Sequence, residues 1–388
     1  MKRIKLVRLM LGLFALLLPQ QAAAYMGICC GKCGGNMPMN IAGGGVPETH
    51  EFRFKINPEL MHMQGLRSGT TTVDGGSLLG NPAAGKYMAV QERMDMSMLN
   101  ISAGYSFSER FFAGVMGMYV DKRMDMKFSS MMSMSAMAGV PGFTMKSHGV
   151  GDTMLMAKYL LWADDILIPS SQVSLFAGLS LPTGSISQRN SEHPMAVRKN
   201  ELLPYGMQLG TGTYDPTLGL LYQGSNSPMW WGLNGMYTAR LHDNSQGYRH
   251  GNRSKVDAYL MYQPRVDTVL ELQLNGTWDG TLKGQANAAL SGASGHAVQG
   301  NAASPFMTPL WDTNNYGGTQ LFATTGVQWQ PMPFNIINAQ VSLPLYRRLN
   351  GVQMETDWRV SLTWYVELPT AKSIRSQKLD HGPSHLGF

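Results

Sequence analysis

Trp358-Arg359-Val360-Ser361-Leu362-Thr363-Trp364-Tyr365-Val366-Glu367-Leu368 decides the fold. Its even positions are apolar throughout, and its odd positions, Tyr365 apart, are polar or charged. Successive side chains of an extended chain point to opposite faces, so a two-residue period makes a strand with one greasy and one polar surface. The same habit recurs at Ile101-Ser102-Ala103-Gly104-Tyr105, from Phe112 to Val120, at Gln172-Val173-Ser174-Leu175-Phe176-Ala177-Gly178-Leu179 and at Glu271-Leu272-Gln273-Leu274-Asn275. Helical patterns of convincing length are absent from the sequence. About twelve strands are predicted, near 51–64, 86–106, 109–124, 149–162, 171–182, 210–223, 229–242, 253–264, 266–279, 316–330, 335–343 and 356–368.

The connections alternate between short and long. Ser106 to Glu109 and Gln263 to Val266 are tight, whereas 127–147, 183–209 and 280–315 are long and rich in Gly, Ser, Asn and Pro. An even strand count with short turns at one end and long loops at the other describes a transmembrane antiparallel β-barrel of the bacterial outer membrane. Closing the sheet satisfies every backbone group in lipid, which an open sheet fails to do. A secreted β-sandwich or a propeller also alternates, but its strands are shorter than these. Tyr105, Tyr119, Trp162, Trp230, Trp231, Tyr237, Trp364 and Tyr365 near strand ends suit the aromatic girdles of such a barrel.

Composition narrows the function. Charged residues make up 14% of the 388, well below the roughly 25% of an ordinary soluble domain, while 44% are hydrophobic and 9% aromatic. The pI near 9.1 suggests nucleic acid only until the charges are located. Of the net +6, four positives (Lys2, Arg3, Lys5, Arg8) lie at the extreme N-terminus, leaving +2 on the rest. Nucleic acid is therefore not expected as a partner. Residues 1–24 combine that basic start with an apolar stretch from Leu9 to Leu18 and with Ala22-Ala23-Ala24, the pattern of a cleaved secretory signal. The expected organisation is a signal peptide at 1–24, a Cys/Gly-rich periplasmic segment at 25–50, a barrel at 51–368 and a hydrophilic tail at 369–388.

Thirty methionines are the oddest feature, and fifteen fall between Met88 and Met156. Met94, Met96 and Met98 share a strand face with Asn100 and Ser102, opposite Leu99 and Ile101. Met116 and Met118 lie on the face of Gly114, and Met154 and Met156 on the face of Asp152 and Lys158. All seven thioethers are thus expected to point into the lumen, with Met124 and Met126 continuing above them. Thioethers are soft ligands that select Cu(I), so these methionines, with the thiols of Cys29, Cys30 and Cys33, are candidate metal ligands. Methionine is equally a flexible apolar filler for a wall that contacts greasy or aromatic solutes. Asp152 and Lys158 are candidate lumen charges that set selectivity or pair with each other, with Arg240 and Glu271 as further inward polar groups. The histidines are scattered and no serine sits in a nucleophile turn, so an enzyme is not indicated.

Several short motifs, in order, resemble an outer-membrane transporter family associated with meta-pathway phenol degradation. They are Gly149-Val150-Gly151-Asp152 with Ala157-Lys158-Tyr159, Leu181-Pro182-Thr183-Gly184, Gly212-Thr213-Tyr214-Asp215-Pro216, Gly247-Tyr248-Arg249, and Pro344-Leu345 with Leu349-Asn350-Gly351. The resemblance covers roughly residues 50–368 and implies a barrel distantly like the long-chain fatty-acid transporter. It implies uptake of hydrophobic or aromatic compounds without a bound cofactor. The Met cluster, the Cys-rich head and the tail ending at Phe388 depart from that pattern. Three functions are carried forward: a channel for small apolar or aromatic solutes, a soft-metal (Cu(I)) channel or binder, and a membrane scaffold for a partner protein. The expected partners are outer-membrane lipid, a small solute and the barrel-assembly machinery.

Overall fold

The alternating segments become strands that pair with their neighbours in sequence, and the last returns to pair with the first. A computed structural model describes residues 37–41, 50–133, 140–165, 169–265, 267–290, 295–332 and 334–373. Its strands are β1 (Glu51–Gly69), β2 (Thr71–Val73), β3 (Ala89–Ser106), β4 (Phe111–Phe128), β5 (Gly142–Val150), β6 (Thr153–Ala163), β7 (Ser171–Leu181), β8 (Asp215–Asn226), β9 (Met229–Thr238), β10 (Tyr248–Arg249), β11 (Arg253–Arg265), β12 (Thr268–Asp279), β13 (Lys283–Gly284), β14 (Gly318–Met332) and β15 (Asn335–Pro369).

Eleven of these elements form a closed antiparallel ring, with β2 and β5 beside it and the β10–β13 ribbon apart. β15 counts twice. Its first part, to Leu349, runs beside β14, and its remainder runs back beside β1. The reversal falls at Asn350-Gly351, where Gly351 adopts a φ of +56° that favours glycine. An antiparallel ring closes only on an even number of staves, and this doubling makes the eleven elements twelve staves. The sheet therefore has no open edge within the ring, as a wall in lipid requires.

The outer surface carries the lipid belt. Leu60, Ile101, Leu155, Leu220, Leu272 and Leu362 all point outward and are exposed. Tyr119, Trp162, Trp231, Tyr237 and Trp364 are exposed on the same face, as girdle residues should be. Trp230 and Tyr365 correct the expectation. Both point inward and are buried, 4% and 8% exposed, because each is one residue out of phase with its outward neighbour. Arginine in place of Leu272 is expected to destabilise the folded barrel by about 2–4 kcal/mol, the cost of a cation at mid-bilayer depth. The same change at Leu290, exposed in a loop helix, should cost little; urea titration of heat-modifiable gel mobility measures both.

Above the belt the alternation inverts. On β4, Asp121, Arg123 and Lys127 point out to water, while Met124, Met126 and Phe128 are buried inward. β5 continues this pattern and pairs with the upper part of β4, while β6 pairs with the lower part. Residues 142–147, expected to be loop, are thus strand. Thr144 and Lys146 face outward while Phe143, Met145 and the buried Ser147 face inward, so the outer face here is polar, the reverse of a lipid-facing segment.

The long loops fold back into the barrel. Tyr205, Tyr248, Leu282, Ala286, Ala289 and Trp311 form one buried cluster under the loop end. At the opposite, short-turn end, Met37, Met39 and Ile41 pack against Trp230, Tyr259, Met261, Val269, Ile336 and Tyr365. These partners all lie on inner faces, so this piece of the segment expected to be a periplasmic tail occupies the lumen instead. Gln328 donates to the Met37 carbonyl (3.0 Å), Lys55 to the Met39 carbonyl (3.1 Å) and Gln340 to the Asn40 side chain (3.1 Å). The thiols of Cys29, Cys30 and Cys33, residues 1–24 and most of the tail after Pro369 lie outside the described residues.

Candidate functional site

Inward-facing side chains divide the lumen into two unlike walls. On β11, β12, β14 and β15, joined by Asn57 of β1, the inner face is a hydrogen-bonded polar ladder. Asn275 donates to Asp257 (2.7 Å), and Thr324 donates to Asn275 (2.6 Å) and shares a bond with Ser342 (2.7 Å). Glu271 accepts from Gln273 and Gln340, each at 3.2 Å, and from Asn338. Ser361 donates to Gln340 (3.1 Å), and Asn57 of β1 donates to Thr363 (2.5 Å). Glu271, expected among the inward polar groups, is a member of this ladder.

The facing wall has little hydrogen-bonding capacity. Across β3, β4, β6 and β7 the register sets Gly104 beside Gly114, Gly114 beside Met156, and Met156 beside Gly178. One row higher, Ser102 lies beside Met116 and Met116 beside Met154, and in the next row up Asn100 lies beside Met118. Met96, Met98, Met116, Met118, Met154 and Met156 remain partly accessible from the lumen. Phe112 lies over Gly104 so closely that a Cβ there would come within 2.2 Å of the ring. A glycine at 104 is what lets that ring lie flat against the wall.

The remaining methionines serve differently. Met94, Met124 and Met126 are sealed with Leu66, Val90, Phe128, Met145, Leu203, Met207 and Leu310 in an apolar cluster between the wall and the infolded loops. Unbranched thioethers suit such an irregular junction. This packing gives the copper reading no support. Among the described residues no group of three His, Cys, Asp or Glu side chains is placed to hold a metal ion.

Asp152 and Lys158 do not pair. Asp152 sits in the break between β5 and β6 and accepts from the Gly184 amide (2.9 Å), the Thr211 amide (2.7 Å) and the Thr211 hydroxyl (2.9 Å). The Thr211 hydroxyl lies between the Asp152 carboxylate and that of Asp215 (2.8 Å) and shares its single proton between them, and Asp215 is ion-paired with Arg240. Asp152 thus ties both ends of the 182–214 loop to the rim. Lys122 holds the same loop from β4, donating to the carbonyls of Gly206 (3.0 Å) and Gln208 (2.6 Å). Lys158 lies lower on β6, buried on the inner face.

No sequence pattern signals that the 182–214, 239–252 and 280–317 loops together build the aromatic cluster. The rings of Tyr205 and Tyr248 meet edge-on at 4.6 Å and those of Tyr205 and Trp311 at 5.4 Å. The signal was present only as lone aromatics in glycine-rich stretches. His193 of the first loop lies 4.6 Å from the Phe143 ring and accepts from the Met195 amide (3.1 Å). Burial, aided by the Arg198 charge, lowers its pKa from 6.5 to about 4. The neutral ring is therefore what the folded loop accommodates, and the unfolded loop binds the proton first. The loop layer should lose stability as pH falls from 6.5 toward 4, seen as rising protease cleavage of the loop, and His193→Phe should flatten that profile.

Residues 107–315, more than half of the chain, match the family described as "Putative MetA-pathway of phenol degradation". The chain belongs to that family. No curated protein matches it in sequence. In fold this family member is similar to a crystallised outer-membrane channel from Pseudomonas putida F1, with a TM-score of 0.53 at 10% identity over 85% of this chain and 100% of that one. It is also similar to the P. putida toluene transporter TodX, with a TM-score of 0.37 at 12% identity over 84% of this chain and 91% of that one. Its likeness to the CymD monoaromatic hydrocarbon channel has a TM-score of 0.36 at 8% identity, over 83% of this chain and 90% of that one. The closed ring, the apolar belt and the girdles make the family member an outer-membrane barrel.

Proposed function

We propose that the protein is a passive outer-membrane channel for small hydrophobic or aromatic compounds rather than an enzyme. The observation that carries this reading is the two-faced lumen. A polar ladder on one side holds its own hydrogen bonds, and a wall on the other, built mainly of thioethers, glycines and phenylalanine, offers a solute chiefly dispersion and S–aromatic contact, with Lys158 as its charge. A solute with one flat apolar face and one polar edge matches both walls at once. Membership of a family described by phenol degradation supports the same class of solute. Mid-barrel Met98, Met116, Met118, Met154 and Met156, with Met96 above them against the sealed cluster, are the residues proposed to line the path. Asp152 acts by holding the loops over it, and Lys158 is a charge within it.

The infolded loops and the Met37–Ile41 segment narrow the path from both ends, so passage is selective rather than porin-like. The sequence carries no nucleotide-binding motif, and the concentration gradient drives the solute. Protein-dependent uptake of benzyl alcohol into liposomes, against a sugar of similar mass, tests the proposal. Uptake of the alcohol without the sugar supports it; equal uptake of both, or of neither, refutes it.

A further inference from the structure

The periplasmic half of the apolar wall holds a cation that nothing in the wall explains. Lys158 is 3% exposed, yet among the described residues its ammonium has no hydrogen-bond acceptor and no ion-pair partner. Leaving a charged donor unmet in a buried place is costly unless something else meets it. Its row on the inner face is Ser106, Phe112, Lys158, Phe176 and Gly219, set side by side by the strand register. Lys158 therefore stands between Phe112 and Phe176 in the wall, the first with its ring over Gly104 and the second with its ring 3.2 Å from where a Cβ on Gly178 would lie.

A second cation shares this region. Arg53 of β1 is 6% exposed, and its Nε and one terminal nitrogen have no hydrogen-bond partner. Its nearest carboxylate, Glu367, stands at 4.0 Å and already accepts from the Tyr365 hydroxyl at 3.2 Å. Glu51, the other carboxylate at this level, accepts from Ser373 at 2.8 Å. The Ser106 hydroxyl is buried and unpartnered as well. The charge that bears on Lys158 is that of Arg53, of like sign. The region therefore has spare donors and an aromatic floor, with its carboxylates engaged elsewhere.

We propose that Lys158 and Arg53, over Phe112, Phe176 and Met156, form a binding site for small aromatic carboxylates on the periplasmic half of the path. The ring of such a solute lies against the phenyl and thioether groups, and its carboxylate supplies the acceptors that both cations lack. This rests on the aromatic-channel reading above and narrows it from neutral aromatics to aromatic anions.

The test compares protein-dependent liposome uptake of benzoate and of benzyl alcohol, which differ in charge but hardly in size. Lys158→Met is expected to lower the benzoate-to-benzyl-alcohol uptake ratio about tenfold, the loss of one charge-assisted contact, and Lys158→Arg should retain most of it. An unchanged ratio in Lys158→Met overturns the anion site. Should that variant fail to show a heat-modifiable folded band, the wild-type protein in a planar bilayer decides. Benzoate should block the ion current saturably where acetate does not, and equal effects of the two overturn the site. Loss of the broader reading looks different, as no protein-dependent uptake of benzyl alcohol by the wild type, and it would remove both.

Discussion

Asp152→Ala is expected to raise single-channel conductance several-fold and to make the 182–214 loop cleavable by protease from the long-loop side. One carboxylate accepts from Gly184 and twice from Thr211, and so ties together both ends of a loop of more than thirty residues. A hydrogen bond to a charged group contributes about 1.5–3 kcal/mol, and each 1.4 kcal/mol is tenfold in an equilibrium. Losing three of them, and leaving the Gly184 and Thr211 amides without their acceptor, moves the loop from a closed to a largely open population. The barrel itself should survive, because the strand pairing on both sides of the break at Gly151-Asp152 does not use this side chain. Asp152→Asn keeps an acceptor and should give an intermediate conductance. Unchanged conductance in Asp152→Ala would mean that Lys122, through Gly206 and Gln208, holds the loop alone.

The second large effect is expected from the thioether wall. Changing Met116, Met154 and Met156 together to Asn should lower benzyl alcohol uptake about tenfold, since each S–aromatic contact contributes about 0.3–1.5 kcal/mol. The three positions adjoin one another through Met116↔Met154 and Gly114↔Met156, so one solute ring touches more than one sulfur. Conversion of the same residues to Leu should cost far less, because bulk and apolarity are retained. The Leu variant also separates packing from ligation: soft-metal handling would be lost with the sulfurs, whereas apolar lining would persist.

Much of this was legible in the sequence. The alternation at Trp358–Leu368 gave the last stave, and the parity of Met94, Met116 and Met154 gave the inward faces, because a two-residue period leaves no freedom once one face is assigned to lipid. The same phase turns Trp230 and Tyr365 inward, next to the outward Trp231 and Trp364; only residue type, taken without phase, puts them in the girdle. Two features lay beyond a period-based reading. The docking of Met37–Ile41 depends on Lys55, Gln328 and Gln340, which are brought together only by barrel closure. The role of Asp152 depends on Gly184 and Thr211, distant in sequence and in loops without periodicity. Lys158 was legible as an inward charge, but its lack of an acceptor was not, since that is a property of every strand around it.

The central claim is that small aromatic solutes cross through this lumen. Its most direct test is the initial rate of benzyl alcohol uptake into liposomes bearing the folded protein, read against protein-free liposomes and against the Met116/Met154/Met156→Asn variant. A protein-dependent rate that saturates with solute and falls about tenfold in the variant, as the sum of lost S–aromatic contacts requires, is the predicted result. A rate no greater than that of protein-free liposomes, or one the variant leaves untouched, would contradict it.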